Sequence, residues 1–105
     1  MKEQPNFSYI HQLSGGDQNF EIKLLEVVKR ELPEDIEIYR RNIQKENYIK
    51  ASENVHKLKH KISILGLEKS YRLAELYEDE LREGRNERQA KFEVILRKML
   101  AFIKS

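Results

Sequence analysis

Apolar side chains recur along this chain at intervals of three and four residues, the spacing that lines one face of an α-helix. Nowhere do they alternate with a convincing period of two, and no internal repeat or low-complexity stretch breaks the pattern. Residues 7–13 make one or two helical turns, with Phe7, Ile10 and Leu13 on one side and His11 off that stripe. Ser14-Gly15-Gly16 ends this turn, because glycine supplies the left-handed conformations of tight turns. Asp17 caps a second helix, its carboxylate accepting from the unpaired N–H groups of the first turn. Phe20, Leu24, Val27, Val28 and Leu32 form its apolar stripe.

Pro33 cannot donate to a continuing helical ladder but suits a first turn, and Glu34 and Asp35 after it complement a helix dipole. A third helix is therefore expected over 33–45, separate from the second or kinked off it, with Ile36, Ile43 and either Tyr39 or the stem of Arg40 inward. Asn47 caps a fourth helix over 48–65, and Gly66 fits the left-handed position that ends it. Residues 67–83 make a fifth, anchored by Leu73, Leu76, Tyr77 and Leu81 and closed by Gly84. Asn86 caps the last, which packs through Phe92, Ile95, Leu96, Met99, Phe102 and Ile103. Residues 1–6 read as frayed. The expectation is an all-α, antiparallel up-and-down four-helix bundle with an additional short N-terminal helix, the short connections favouring antiparallel neighbours.

Composition narrows the function. The 105 residues suffice for one modest core, and 39% hydrophobic with 36% charged residues suits amphipathic helices with solvated outer faces. Twenty basic against 18 acidic residues leave a net charge of +2 with the signs interleaved. That gives no broad basic field, which argues against nucleic-acid or anionic-membrane partners. The absence of cysteine excludes disulfides and thiolate metal sites and fits a reducing compartment. No apolar run is long enough to span a bilayer and the N-terminus lacks a secretory signal, so a cytoplasmic location is expected.

The chemistry concentrates in the fourth helix. Its stripe of Ala51, Val55, Leu58, Ile62 and Leu65 must face the core, which puts His56 roughly 140° away and His60 about opposite. Lys59 is one turn from His56, and Ser52, Glu53, Ser63 and Ile64 share its side. A neutral imidazole has a free nitrogen lone pair that can attack activated phosphorus, and nearby lysines offset the charge that arrives. Composition and periodicity alone favour the plainer reading, a solvated histidine on a charged helix face. Glu53, His56 and His60 also have a spacing that could collect a cation, but Lys57, Lys59 and Lys61 oppose it and no fourth ligand is evident, so no metal ligand is assigned and a His-based metal-binding bundle stays the less favoured alternative. No Gly-rich phosphate loop or kinase signature is present, so any phosphate on His56 comes from another protein.

The run His56-Lys57-Leu58-Lys59 with Gly66 downstream resembles the H-x-L-K-G run and second glycine of histidine-containing phosphotransfer (HPt) domains of two-component phosphorelays. The likeness extends over 14–84. Ser14-Gly15-Gly16-Asp17 with Phe20 is similar to the opening of that family's second helix, Pro33-Glu34 to its mid-helix break, and Asn47 to the cap nine residues before the histidine. The acidic stretch 76–84 is similar to the helix that closes the bundle. The resemblance implies one HPt-like domain over 1–105, with His56 phosphorylated and Lys59 beside the phosphoryl group.

It also implies that response-regulator receiver domains and a hybrid sensor histidine kinase are the partners. The chain itself would then hold no cofactor, and Mg²⁺ would belong to the receiver. Ser52, Glu53, His60, Ser63 and Ile64 are the expected docking rim. The product would be a phosphocarrier, monomeric, without an ATP site and not a kinase by itself. His60 stands where the family has a small glycine one turn after the histidine. A helical adaptor that docks a receiver without transfer is the alternative that this substitution keeps open. The apolar face running to the chain's end, without linker composition, reads as free-standing.

Overall fold

In the computed structural model, which describes residues 3–104, every regular element is helical. The five helices are α1 (Ser8–Ser14), α2 (Gln18–Gln44), α3 (Tyr48–Ile64), α4 (Glu68–Arg82) and α5 (Gln89–Lys104). Helix α3 is packed between α2 and α4, α5 closes the bundle against α4 and α2, and α1 lies on α2 and α3. The all-α four-helix bundle with a short N-terminal helix is thus the fold that the apolar periodicity predicts.

The core is one contiguous cluster. Helix α2 contributes Val28, Leu32, Ile36 and Tyr39, and α3 contributes Ala51, Val55, Leu58 and Ile62. Ala74, Tyr77 and Leu81 come from α4, and Phe92, Leu96 and Met99 from α5. Fully burying one Val, Leu, Ile or Phe side chain stabilises by about 1.5–3 kcal/mol, against about 0–1 kcal/mol for an exposed ion pair. The apolar stripe, not surface charge, therefore sets the rotation of α3.

Pro33 does not divide a second helix from a third. Helix α2 runs unbroken through it for 27 residues. Proline removes one hydrogen bond to the preceding turn, but Leu32 and Ile36 on either side are both buried on the stripe that grips α3. Their packing holds the axis together. At the starts of α2 and α3 the expected signals work: the Asp17 carboxylate accepts from the Phe20 N–H at 3.2 Å, and the Asn47 side chain accepts from the Lys50 N–H at 3.4 Å. Asn86 does not cap a helix directly. Its side-chain amide donates to the Gln89 side chain at 2.8 Å, and α5 begins at Gln89, two residues later than expected.

Two expected anchors are misplaced. Leu76 is 52% exposed, because Ala74, Tyr77 and Leu81 take the inward side of α4 and leave position 76 on its flank; Phe20 is exposed as well. Of the alternatives Tyr39 and Arg40, Tyr39 is the buried one, and Arg40 pairs with Glu93 instead. Residues 3–6 are docked, not frayed; Met1 and Lys2 lie outside the described residues. The Glu3 carboxylate accepts from the backbone N–H groups of Lys69 at 2.7 Å and Ser70 at 2.9 Å. It thereby caps α4, whose N-cap residue Leu67 has no side chain to do so. The Asn6 N–H donates to the Leu65 carbonyl at 2.9 Å, fastening the strap to the α3–α4 turn.

Candidate functional site

The buried stripe of α3 turns His56 outward, and its side chain is 58% exposed. Beneath it, α4 presents Glu78, a carboxylate only 4% exposed. Glu78 Oε2 lies 3.1 Å from His56 Nδ1, and Arg82, one turn along α4, pairs with the same oxygen. Oε1 lies 2.9 Å from Lys59 Nζ, off the direction of a good hydrogen bond, so that contact is chiefly charge on charge.

Burial, the largest single influence on Glu78, opposes its ionisation. Lys59, Arg82 and His56 together outweigh it and hold the carboxyl below the usual carboxylate range. An ionised carboxylate only accepts, so the proton of a neutral His56 ring sits on Nδ1. Nε2 then keeps the free lone pair.

The three lysines around His56 are all paired with carboxylates. Lys57 and Lys61 turn to α2, lying 3.2 Å and 3.0 Å from the two oxygens of the buried Asp35 carboxylate. Lys61 also donates to Glu31 at 2.8 Å. Lys59, with its side chain 12% exposed, sits in the α3–α4 seam between Glu78 and the Tyr71 ring, whose centroid is 5.5 Å from Nζ. Lys59 thus reaches the site at its base, through the carboxylate that also holds His56.

The other expected site residues divide. His60 is exposed and its ring stands perpendicular to that of His56, with 5.7 Å between centroids. With Ser63 and Ile64 it lines a cavity of about 580 Å³, walled by Tyr9 and Leu13 of α1 and Tyr71 of α4. Ile64 is half-buried and packs on the core, so it is not the bare apolar side chain that helical geometry alone suggests. Glu53 is exposed on the same helix. Ser52 is not on the rim. It is buried, and its hydroxyl donates to the Ile49 carbonyl one turn back, because position 52 faces the seam between helices.

Among the described residues, no three His, Cys, Asp or Glu side chains form a group that could hold a metal ion. No described helix is long and apolar enough to cross a membrane.

Glu78 and Arg82 are absent from the residues expected at the site. The signal was present: Glu78 lies beside Tyr77 within the stripe Ala74, Tyr77, Leu81, and a carboxylate at such a position must find a cationic partner when the helix packs.

Compared with known proteins, the chain matches a family model described as the Hpt domain over residues 23–105. The match takes in α2 from its second turn to the end of α5 and leaves out the N-terminal strap and α1. Neither the curated proteins nor the solved structures compared with the chain yield a match. With most of its residues inside that match, the chain belongs to the Hpt domain family, whose members take part in histidine phosphotransfer in phosphorelays.

Proposed function

We propose that this chain is a phosphocarrier in which His56 Nε2 accepts a phosphoryl group from the aspartyl phosphate of one receiver domain and passes it to another. The observation that carries this reading is the buried Glu78 carboxylate, 3.1 Å from Nδ1 of an outward-facing His56. In the step, the Nε2 lone pair forms the N–P bond as the acyl-phosphate P–O bond breaks, and that electron pair leaves with the aspartate carboxylate. No proton need move. The ring becomes cationic while its Nδ1–H remains on Glu78, whose negative charge stabilises that cation. Return transfer reverses each bond change.

Lys59 and Arg82 keep Glu78 ionised through this cycle, so Lys59 supports the phosphoryl group electrostatically from the base of the ring. Mg²⁺ belongs to the receiver and supplies its charge there. The donor side is a hybrid sensor histidine kinase acting through its receiver domain. The docking rim is Glu53, His60, Ser63 and Ile64, a polar edge with one half-buried apolar side chain, as suits a small transient interface. The carrier works as a cytoplasmic monomer.

Incubation with phosphorylated receiver domains from the same organism tests this. An acid-labile label is expected on the chain, and His56→Gln should abolish it. A label that survives the substitution overturns the assignment. Receiver binding indifferent to His56→Gln, without acid-labile phosphate, would identify an adaptor instead.

A further inference from the structure

A phosphoryl group on His56 Nε2 would bring close to two negative charges to the helix surface. The cations nearby are already engaged: Lys57 and Lys61 face Asp35, and Lys59 and Arg82 share Glu78. The His60 ring, one turn further along α3, stands edge-to-face with His56 at 5.7 Å between centroids. A ring N–H at that spacing can reach an oxygen of a phosphoryl group carried by its neighbour.

From this juxtaposition we propose that His60 is a proton-linked positioning residue, donating a ring N–H to the phosphoryl group on His56 and taking up a proton when that group arrives. The inference rests on the phosphocarrier reading and deepens it. No covalent change at His60 is involved, only one proton drawn from solvent and one hydrogen bond formed.

The surroundings permit this uptake. His60 shares its cavity wall with Tyr9 of α1 and with Glu68, Tyr71, Arg72 and Glu75 of α4, and His56 is its neighbour on α3. These neighbours bring two carboxylates and one guanidinium to the cavity, and the lysines flanking His60 on its own helix, Lys57 and Lys61, are turned to Asp35. An imidazole ordinarily titrates near neutrality, and an opposite charge a few ångströms away raises its midpoint by about 1 unit or more. Linkage is reciprocal: if phosphate raises proton affinity at His60 tenfold, protonation raises phosphoryl retention at His56 by the same factor. The chain would then hold its phosphate more firmly as pH falls through neutrality.

The test uses phosphoramidate, which phosphorylates exposed imidazoles directly and needs no receiver. Phosphorus NMR locates the phosphate, and the ring signals of His60 are titrated over about pH 5 to 8 before and after His56 is phosphorylated. The expected result is a rise of about 1 unit in the His60 midpoint. In parallel, the distribution of phosphate between receiver and carrier is measured against pH for the wild type, His60→Gln and His60→Gly. His60→Gln keeps bulk and a donor but cannot titrate, so the extra retention at low pH should vanish with either variant.

A His60 midpoint that does not move, a pH dependence unchanged by His60→Gln, or phosphate on His60 instead of His56 would each overturn the proposal. If no receiver labels the chain while chemical phosphorylation still shifts His60, the carrier reading fails and the proton linkage stands. If receivers label His56 and His60 does not respond, the outcome is reversed.

Discussion

Glu78 meets His56 from beneath, its Oε2 3.1 Å from the ring's Nδ1 and nine-tenths hidden from solvent by the two helices that bring them together. The same carboxylate neutralises Lys59 and pairs with Arg82. Replacing it therefore separates two effects. Glu78→Gln keeps an acceptor for the Nδ1–H but loses the charge, and phosphotransfer should slow by about tenfold, or about 1.4 kcal/mol of barrier. Glu78→Ala also leaves Lys59 unpaired in the seam and should cost about 2–4 kcal/mol of stability, because breaking a buried pair strands the other charge. Urea unfolding and transfer kinetics on both variants check this. Wild-type transfer by both would remove Glu78 from the mechanism.

Acid should weaken the fold through the same groups. Glu78 is held below the usual carboxylate value of 4.5 once Lys59, Arg82 and His56 outweigh burial, and Glu31 is held low chiefly by Lys61. A lowered folded-state value means that the native state favours the ionised form. Its stabilisation is complete above 4.5 and drains away as pH falls through the lowered values. Urea midpoints should hold steady from neutrality to about pH 5 and then fall. Glu31→Gln should flatten part of that fall, and an equally steep decline in the variant would contradict the assignment of Glu31.

At the alkaline end the buried pair of tyrosines acts in the opposite sense. Tyr39 Oη and Tyr77 Oη lie 2.6 Å apart inside the core. Burial pushes Tyr77 up from 10.0 to about 12, and burial and the Tyr77 hydroxyl push Tyr39 higher still. A raised value favours the neutral phenol in the folded state, so this stabilisation is full below pH 10 and is lost as pH climbs towards 12.

Either single Tyr→Phe change leaves one buried hydroxyl without its partner and should cost about 1–3 kcal/mol, whereas the double change should be close to neutral. A double-mutant cycle measures the coupling. Additive losses would show that the two hydroxyls act independently.

The fold was legible because its information is local: the apolar spacings of α3 and α5 read directly as helices, and Asp17 and Asn47 mark their own helix starts. Pro33 misled because its local chemistry says stop, while Leu32 and Ile36 on either side supply the packing that carries α2 through. At the site, His56 could be read as outward from Val55, Leu58 and Ile62 alone. Its partner Glu78 is 22 residues away, and Glu3 caps α4 at Lys69 from 66 residues away. Such pairs are fixed only when helices cross. Ser52 failed for a related reason: helical phase put it beside His56, but the approach of a neighbouring helix decided that it is covered.

The strap offers the last test, through Asn6 and Gly66. Gly66 and Gly84 both end helices with left-handed backbones, φ +74° and +80°, so an added Cβ should cost about 1–2 kcal/mol at either. They differ in surroundings. A Cβ at Gly66 would fall 2.6 Å from Asn6 Oδ1, while at Gly84 nothing lies within 4 Å. Asn6 Oδ1 also accepts from the Ser8 N–H at 3.0 Å, at the start of α1. Gly66→Ala should therefore displace Asn6, loosen Glu3 from its cap on α4 and weaken the entry to α1. Its loss should exceed that of Gly84→Ala by about 1 kcal/mol, the worth of one helix cap. Hydrogen exchange should quicken at the Lys69 and Ser70 amides, which Glu3 holds, and the excess should shrink when Asn6→Ala is already present. Equal losses at the two glycines, with Lys69 and Ser70 still protected, would mean that the strap does not depend on this close approach.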